Sequence, residues 1–284
     1  MNVEILKPIG YCYGVIKAIN LAKDIRLKYP DKRILIFGML VHNNDVTKEL
    51  ENLGIQTINL MNKSPLEELK KLQKDDILIF TAHGHPHIYE EILNEKGITF
   101  FDATCFRVSQ AFELIKEAKE VIYIGIKSHP ETIAALTMNP NIHLYDLSSP
   151  FDYENVKTFD PIVINQTTLS YLELESIHQD ILKNIPKAII TSEICDATYL
   201  RQIAIKNLDS PKEGLIIVGS HTSSNTTRLY ELAKEYQKTK KILWVENVDE
   251  LKKCSIDFKS AIICSGTSTP IATINEIKDY LERM

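Results

Sequence analysis

The chain has 284 residues, 44 % hydrophobic and 25 % charged, enough for one large body or two to three small domains and too apolar for general disorder. A formal charge of -5 with no Lys/Arg run argues against nucleic-acid binding, and no stretch approaches the ~18 apolar residues of a membrane helix. Lys7 interrupts the N-terminus MNVEILKPIGYCYGV, so no signal peptide is expected and the chain reads as cytoplasmic.

In chain order, strands are predicted over 3–7, 33–37, 56–60, 77–81, 98–101, 121–125, 142–145, 161–164, 187–190, 215–219, 241–245 and 260–264. Apolar positions recurring every three and four residues predict helices over 14–28, 43–53, 64–72, 86–95, 106–119, 131–138, 170–184, 196–207, 225–236 and 270–282. The alternation predicts an α/β fold with mostly parallel sheets.

The pattern also repeats. GYCYGV, DATCFR and EICDAT each put a cysteine (Cys12, Cys105, Cys195) at a strand-to-helix turn, at spacings of 93 and 90 residues. Two polar loops follow each cysteine in the same order. FGMLVHNND, YIGIKSHPET and IVGSHTSSNT form one series, and FTAHGHP, INQTTLS and CSGTSTP the other. Three similar α/β domains are therefore expected at 14–102, 103–192 and 193–284, the last completed by segment 1–13. Loops at the carboxyl ends of parallel strands carry ligands in such folds, and a pseudo-threefold axis lets all of them converge.

Five cysteines, an odd number, do not suggest a disulfide framework. Cys264 ends the apolar run AIIC and reads as a core filler; Cys254 falls in a surface turn and is assigned no role. The other three have polar or glycine neighbours (Gly10 and Gly14, Asp102 and Thr104, Glu193 and Asp196) and helix N-termini that favour a thiolate. Three soft ligands with an open position suit catalytic zinc or a 4Fe–4S cluster with one iron left for a substrate oxygen, and the spacing leaves both open.

Among the loops, His42, His83 and His129 take corresponding positions, whereas His85 and His87 read as solvated and His221 as a secondary contact. Ser223, Ser224, Asn225 and Ser268 open helices and suit a phosphate or diphosphate, although a plain N-cap explains the Ser-Ser-Asn run equally well. Glu131, with Thr167 from the same unit, is the best proton donor, its pKa raised if it is enclosed. No GxxxxGK[ST] or strand-borne GxGxxG is present, which argues against a nucleotide-hydrolysing loop and a dinucleotide cofactor.

Taken together, GYCYGV, LVHNN, TAHG, DATC, HPE, QTTLS, EIC, GSHTSSN and SGTSTP resemble, over nearly the whole chain, the 4-hydroxy-3-methylbut-2-enyl diphosphate reductases of the methylerythritol phosphate route to isoprenoids. The resemblance implies a trefoil of three α/β domains around one central 4Fe–4S cluster held by Cys12, Cys105 and Cys195. It implies a substrate diphosphate held by His42, His83, His129, Thr167, Ser223, Ser224, Asn225 and Ser268, with Glu131, Thr167 and His129 in catalysis. The implied reaction removes the substrate hydroxyl as water with two electrons and two protons, giving isopentenyl and dimethylallyl diphosphate. A ferredoxin or flavodoxin is the implied electron donor, and a monomer is expected, with a weak homodimer as the alternative. An iron–sulfur dehydratase of a phosphorylated hydroxy substrate is the rival reading. Two departures are mild: Tyr11 stands where the family commonly has Phe, and Phe106-Arg107 where it has Pro and an apolar residue. No fused RNA-binding module is expected.

Overall fold

The computed structural model describes residues 1–191, 194–209 and 212–284. The expected 192/193 boundary and Glu193 lie outside the described residues.

Strand β1 (Asn2–Ile5) and helix α1 (Tyr13–Lys28) open the chain, followed by β2 (Ile34–Phe37), α2 (Asn44–Asn52), β3 (Ile55–Ile58), α3 (Pro65–Lys70), β4 (Ile77–Phe80), α4 (Ile88–Lys96) and β5 (Thr99–Asp102). The middle third holds α5 (Phe106–Glu117), β6 (Val121–Gly125), α6 (Pro130–Ala135), β7 (Ile142–Asp146), β8 (Ile162–Asn165), α7 (Tyr171–Asn184) and β9 (Ile189–Ile190). The last comprises α8 (Asp196–Lys206), β10 (Gly214–Val218), α9 (Ser224–Tyr236), β11 (Lys241–Val245), α10 (Val248–Leu251), β12 (Ser260–Ser265) and α11 (Ile271–Glu282). The sequence reading lacks α10 and a 3₁₀ turn at Tyr153–Asn155. Each spans about one helical turn, too short for a 3.6-residue apolar period to show.

The strands form three four-stranded sheets in the orders β3-β2-β4-β5, β7-β6-β8-β9 and β11-β10-β12-β1. Every pairing is parallel. The sheets superpose in topology, except that the chain's first strand fills in the third the place that β5 and β9 fill in the others. The central strands read ILIF, ILIF, VIYIG and GLIIV without polar alternation because helices cover both faces.

Each sheet accordingly has one apolar cluster per face. In the first, Ile34, Ile36, Ile77 and Ile79 meet α1 and α2, and Leu35, Phe37, Leu78 and Phe80 meet α3 and α4 on the other side. Val121, Tyr123 and Ile164 with α5, and Ile122, Ile124 and Val163 with α7, divide the second sheet in the same way. Ile216, Val218 and Ile263 with α11, and Leu215, Ile217 and Ile262 with α9, divide the third. The stripe Val15, Ala18, Ile19, Ala22 and Ile25 sits α1 on the first sheet and so fixes where Cys12 stands.

Candidate active site

The central strands are β2 and β4, β6 and β8, β10 and β12. β2 and β4, and likewise β6 and β8, send their crossovers in opposite directions, while in the third sheet β10 crosses to β11 on one side and β12 carries the chain's last helix, α11, with β1 on its other side. A crevice opens beyond the carboxyl ends of such a pair. The six polar loops anticipated from the sequence leave these six strand ends. They meet in one cavity with about 680 Å³ of atom-free space, part of it open to solvent.

Cys12, Cys105 and Cys195 line its floor and are the N-cap residues of α1, α5 and α8. Each is anchored the same way: the N–H of Cys12 donates to the Thr267 carbonyl (2.9 Å), that of Cys105 to Ala82 (3.0 Å) and that of Cys195 to Thr167 (3.0 Å). Every cysteine is thus pinned to a polar loop of the sheet preceding its own helix. Burial pushes the Cys12 and Cys105 thiols up, and neighbouring sulfurs add to this. The opposing pull comes from first-turn N–H groups, Val15 and Gly14 for Cys12, Arg107 and Val108 for Cys105, and at Cys12 also from the Arg201 charge. Gly14 keeps the space between the sulfurs, since a Cβ there would stand 2.6 Å from Cys105 Sγ and 3.9 Å from Cys12 Sγ. Among the described residues no three His, Cys, Asp or Glu side chains converge as one metal ion requires. A cluster of several irons holds its thiolates further apart than a single ion does.

One wall is histidine. The His42 and His83 rings lie 4.5 Å apart, and His129 stands 5.9 and 5.7 Å from them. Burial lowers all three pKa values; His129, with His42 beside it, falls to about 3. These rings are therefore neutral at pH 7. Both ring nitrogens of His42, and both amide atoms of Asn225, are buried without a hydrogen-bond partner. Such groups mark a place for a polar ligand, because buried polar atoms are rarely left unsatisfied.

A second part of the lining is hydroxylic. Ser223 caps α9, its Oγ accepting from the Thr226 N–H, so the N-cap reading of this run is correct for Ser223. Ser224 Oγ instead accepts from Gln166 and Thr168 across the boundary between sheets, and Ser268 Oγ donates to the His42 carbonyl at 2.9 Å. The loops therefore brace one another.

Glu131 opens α6 and is 1 % exposed. Thr167 donates its N–H to Oε1 (2.7 Å) and its hydroxyl to Oε2 (2.8 Å), while Tyr123 OH approaches Oε1 at 3.4 Å. Burial outweighs these donors and raises the Glu131 pKa to about 7. His129 Nδ1 accepts the Glu131 N–H, which leaves the other ring nitrogen for the cavity.

All twelve anticipated residues line this cavity. His85 is not solvated but buried, stacked on Phe80 at 3.5 Å and bonded to Glu90. His87 is exposed as expected, and His221 pairs with Glu250 outside the cavity lining. Cys264 lies in the core; Cys254 is half-buried against the third sheet's cluster rather than on the surface. Arg107 bonds Asp196, joining the first turns of α5 and α8.

Tyr123 and Arg201 escaped the sequence reading. Tyr123 looks like any aromatic in a buried strand. Arg201 left a signal: it falls on the buried stripe Thr198, Arg201, Gln202 and Ile205 of α8, where an apolar residue is the norm.

The LytB protein model matches residues 3–282. This chain belongs to the LytB protein family. A Malacoplasma penetrans protein named 4-hydroxy-3-methylbut-2-enyl diphosphate reductase is 36 % identical over all of this chain and 98 % of its own length. A Bacillus licheniformis protein of the same name is 35 % identical over all of this chain and 91 % of its own. The structure of the Plasmodium falciparum E-1-hydroxy-2-methyl-but-2-enyl-4-diphosphate reductase matches with a TM-score of 0.83 at 26 % identity, covering 99 % of this chain and 87 % of that one. A second structure, of (E)-4-hydroxy-3-methyl-but-2-enyl diphosphate reductase, the terminal enzyme of the non-mevalonate pathway, matches over the full length of both chains with a TM-score of 0.70 at 27 % identity. With reductases aligned end to end, the chain is an oxidoreductase of this α/β family. No helix among its described residues is long and apolar enough to cross a membrane.

Proposed function

We propose that this chain reduces (E)-4-hydroxy-3-methylbut-2-enyl diphosphate to isopentenyl and dimethylallyl diphosphate, consuming two electrons and two protons and releasing the hydroxyl as water. One observation carries the reading: three helix-capping thiols, a buried protonatable carboxyl and a wall of unpartnered polar atoms share a single cavity. The relatives' names supply the substrate.

Cys12, Cys105 and Cys195 would hold a 4Fe–4S cluster, one per chain; three partly desolvated soft donors, each at a helix N-terminus, suit it. When bound, the cluster supplies single electrons and a Lewis-acidic iron that no cysteine occupies. His42, His83, His129, Ser223, Ser224, Asn225 and Ser268 take the diphosphate, whose charge draws protons onto the neutral imidazoles and fills the open valences of His42 and Asn225. Glu131, protonated up to about pH 7, gives its proton to the leaving hydroxyl oxygen, with Thr167 fixing the carboxyl orientation. Burial of Glu131, 1 % exposed, shields its carboxyl from bulk water. Domains 14–102, 103–192 and 193–284 with 1–13 each contribute one cysteine-capped helix or the loops facing it. The electron donor is an external ferredoxin or flavodoxin, and the working place is the cytoplasm.

The deciding experiment is anaerobic purification with iron, sulfide and zinc analysis, Mössbauer spectroscopy and turnover of the hydroxy-diphosphate with and without reductant. The expected result is four irons per chain, one shifting on substrate addition, and turnover only with reductant. Zinc without sulfide overturns the cluster, and reductant-free turnover assigns the chain to the dehydratases.

A further inference from the structure

Among the described residues, Arg201 is a buried cation without an anionic side-chain oxygen to pair with. It is 5 % exposed, and no carboxylate stands within ion-pair distance among the described residues. Its guanidinium is spread over three backbone carbonyls: Nε donates to Ser265 (3.1 Å), Nη1 to Ala197 (2.8 Å) and Nη2 to Gly10 (2.7 Å). Gly10 lies two residues before Cys12, Ala197 two after Cys195, and Ser265 directly after Cys264. One planar fork thus ties together two cysteine loops and the end of β12.

Carbonyls satisfy the N–H groups but leave the charge uncompensated. A buried cation is costly unless an anion faces it. The groups that act on Arg201 electrostatically are Cys12, Cys195 and Cys264. Cys264 is a core thiol pushed up to about 12, so it stays neutral. The two remaining sulfurs belong to the cavity floor. A cation fixed there is explained if that floor carries negative charge in the working protein.

We propose that Arg201 is the counter-charge of the iron–sulfur centre, setting its reduction potential while holding the Cys12 and Cys195 loops in place. The inference rests on the cluster assigned above. One electron from an external one-electron donor adds one negative charge to the centre, and no proton moves at Arg201, whose guanidinium stays charged. A fixed cation therefore favours the reduced state and raises the potential. Arg201 is a positioning residue and has no part in proton delivery.

The test is an anaerobic redox titration, without substrate, of reconstituted wild type, Arg201→Gln and Arg201→Lys, with iron content and thermal unfolding of the cluster-free proteins measured in parallel. At the wild-type midpoint, Arg201→Gln is expected to show at least a tenfold lower ratio of reduced to oxidised centre, about 59 mV for one electron. Arg201→Lys, which keeps the charge and loses the fork, is expected to stay much closer to wild type. A cluster-loaded Arg201→Gln with the wild-type midpoint overturns the proposal, and so does an equal shift in both variants. If Arg201→Gln takes up no iron, uptake by Arg201→Lys supports the need for charge; failure of both, with unchanged unfolding of the cluster-free proteins, reduces the residue to a strut and overturns it. Wild type without iron and sulfide is a different result and overturns the cluster itself.

Discussion

Thr167 closes on the Glu131 carboxyl with both of its donors, the N–H on one oxygen and the hydroxyl on the other. The same residue's carbonyl accepts the Cys195 N–H. Thr167 therefore joins the proton donor to one of the three thiol-bearing helices, and a shift of either is felt by both.

Glu131 is expected to deliver a proton, so turnover falls as pH rises through about 7, where the carboxyl ionises. Glu131→Gln is expected to lose about 10²-fold or more in kcat with the cluster retained. The Thr167 and Tyr123 hydrogen bonds favour the carboxylate, so Thr167→Val and Tyr123→Phe move this alkaline limb to higher pH. A kcat–pH profile of each variant checks this, and a limb moving to lower pH contradicts it.

The same shift appears in stability. The folded-state pKa of Glu131 is raised above its unfolded value, so the folded state binds the proton more tightly. Its contribution is fully present below about pH 4.5 and is lost as pH rises through about 7. A shift from 4.5 to about 7 corresponds to about 3 kcal/mol. In urea unfolding of cluster-free protein, Glu131→Gln should gain about that much relative to wild type between pH 4.5 and pH 9.

The cysteine assignment separates the five thiols. Cys12→Ser, Cys105→Ser and Cys195→Ser are each expected to lose most of the bound iron after anaerobic reconstitution. Cys254→Ser and Cys264→Ser are expected to keep it. Gly14→Ala should behave like the first group, because its methyl would stand 2.6 Å from Cys105 Sγ. Iron and sulfide per chain give the readout.

Diphosphate binding should take up protons. His42, His83 and His129 are held neutral by burial, and an anion among them restores the imidazolium form. Calorimetry of inorganic diphosphate binding in buffers of different ionisation enthalpy is expected to show net uptake near pH 7. His83→Asn should diminish that uptake. Asn225→Ala should weaken binding about tenfold or more, since the buried amide then has no part in satisfying the ligand.

Much of this site was legible in the sequence because the repeat registers it. Cysteines at matching turns in three units, each followed by two polar loops, need no coordinates to be recognised as equivalent, and parallel α/β topology puts such loops at one end of each sheet. The strand runs were equally plain, since ILIF and GLIIV, buried on both faces, cannot be mistaken for solvated segments. The short α10 and the half-burial of Cys254 were not visible, because both depend on what a surface segment packs against.

The sequence by itself determined the α/β class, the threefold repeat, the three thiols and the polar residues around them, because these follow from local periodicity and spacing. Tertiary structure alone decided the electrostatics. His85 became a buried stacked ring and Glu131 a carboxyl that holds its proton to about pH 7. Arg201 became a buried cation tied to the carbonyls of Gly10, Ala197 and Ser265, and Gly14 the gap between two thiols. Each of these depends on burial and on groups far apart along the chain, and desolvation and Coulomb interaction are set by distance in space.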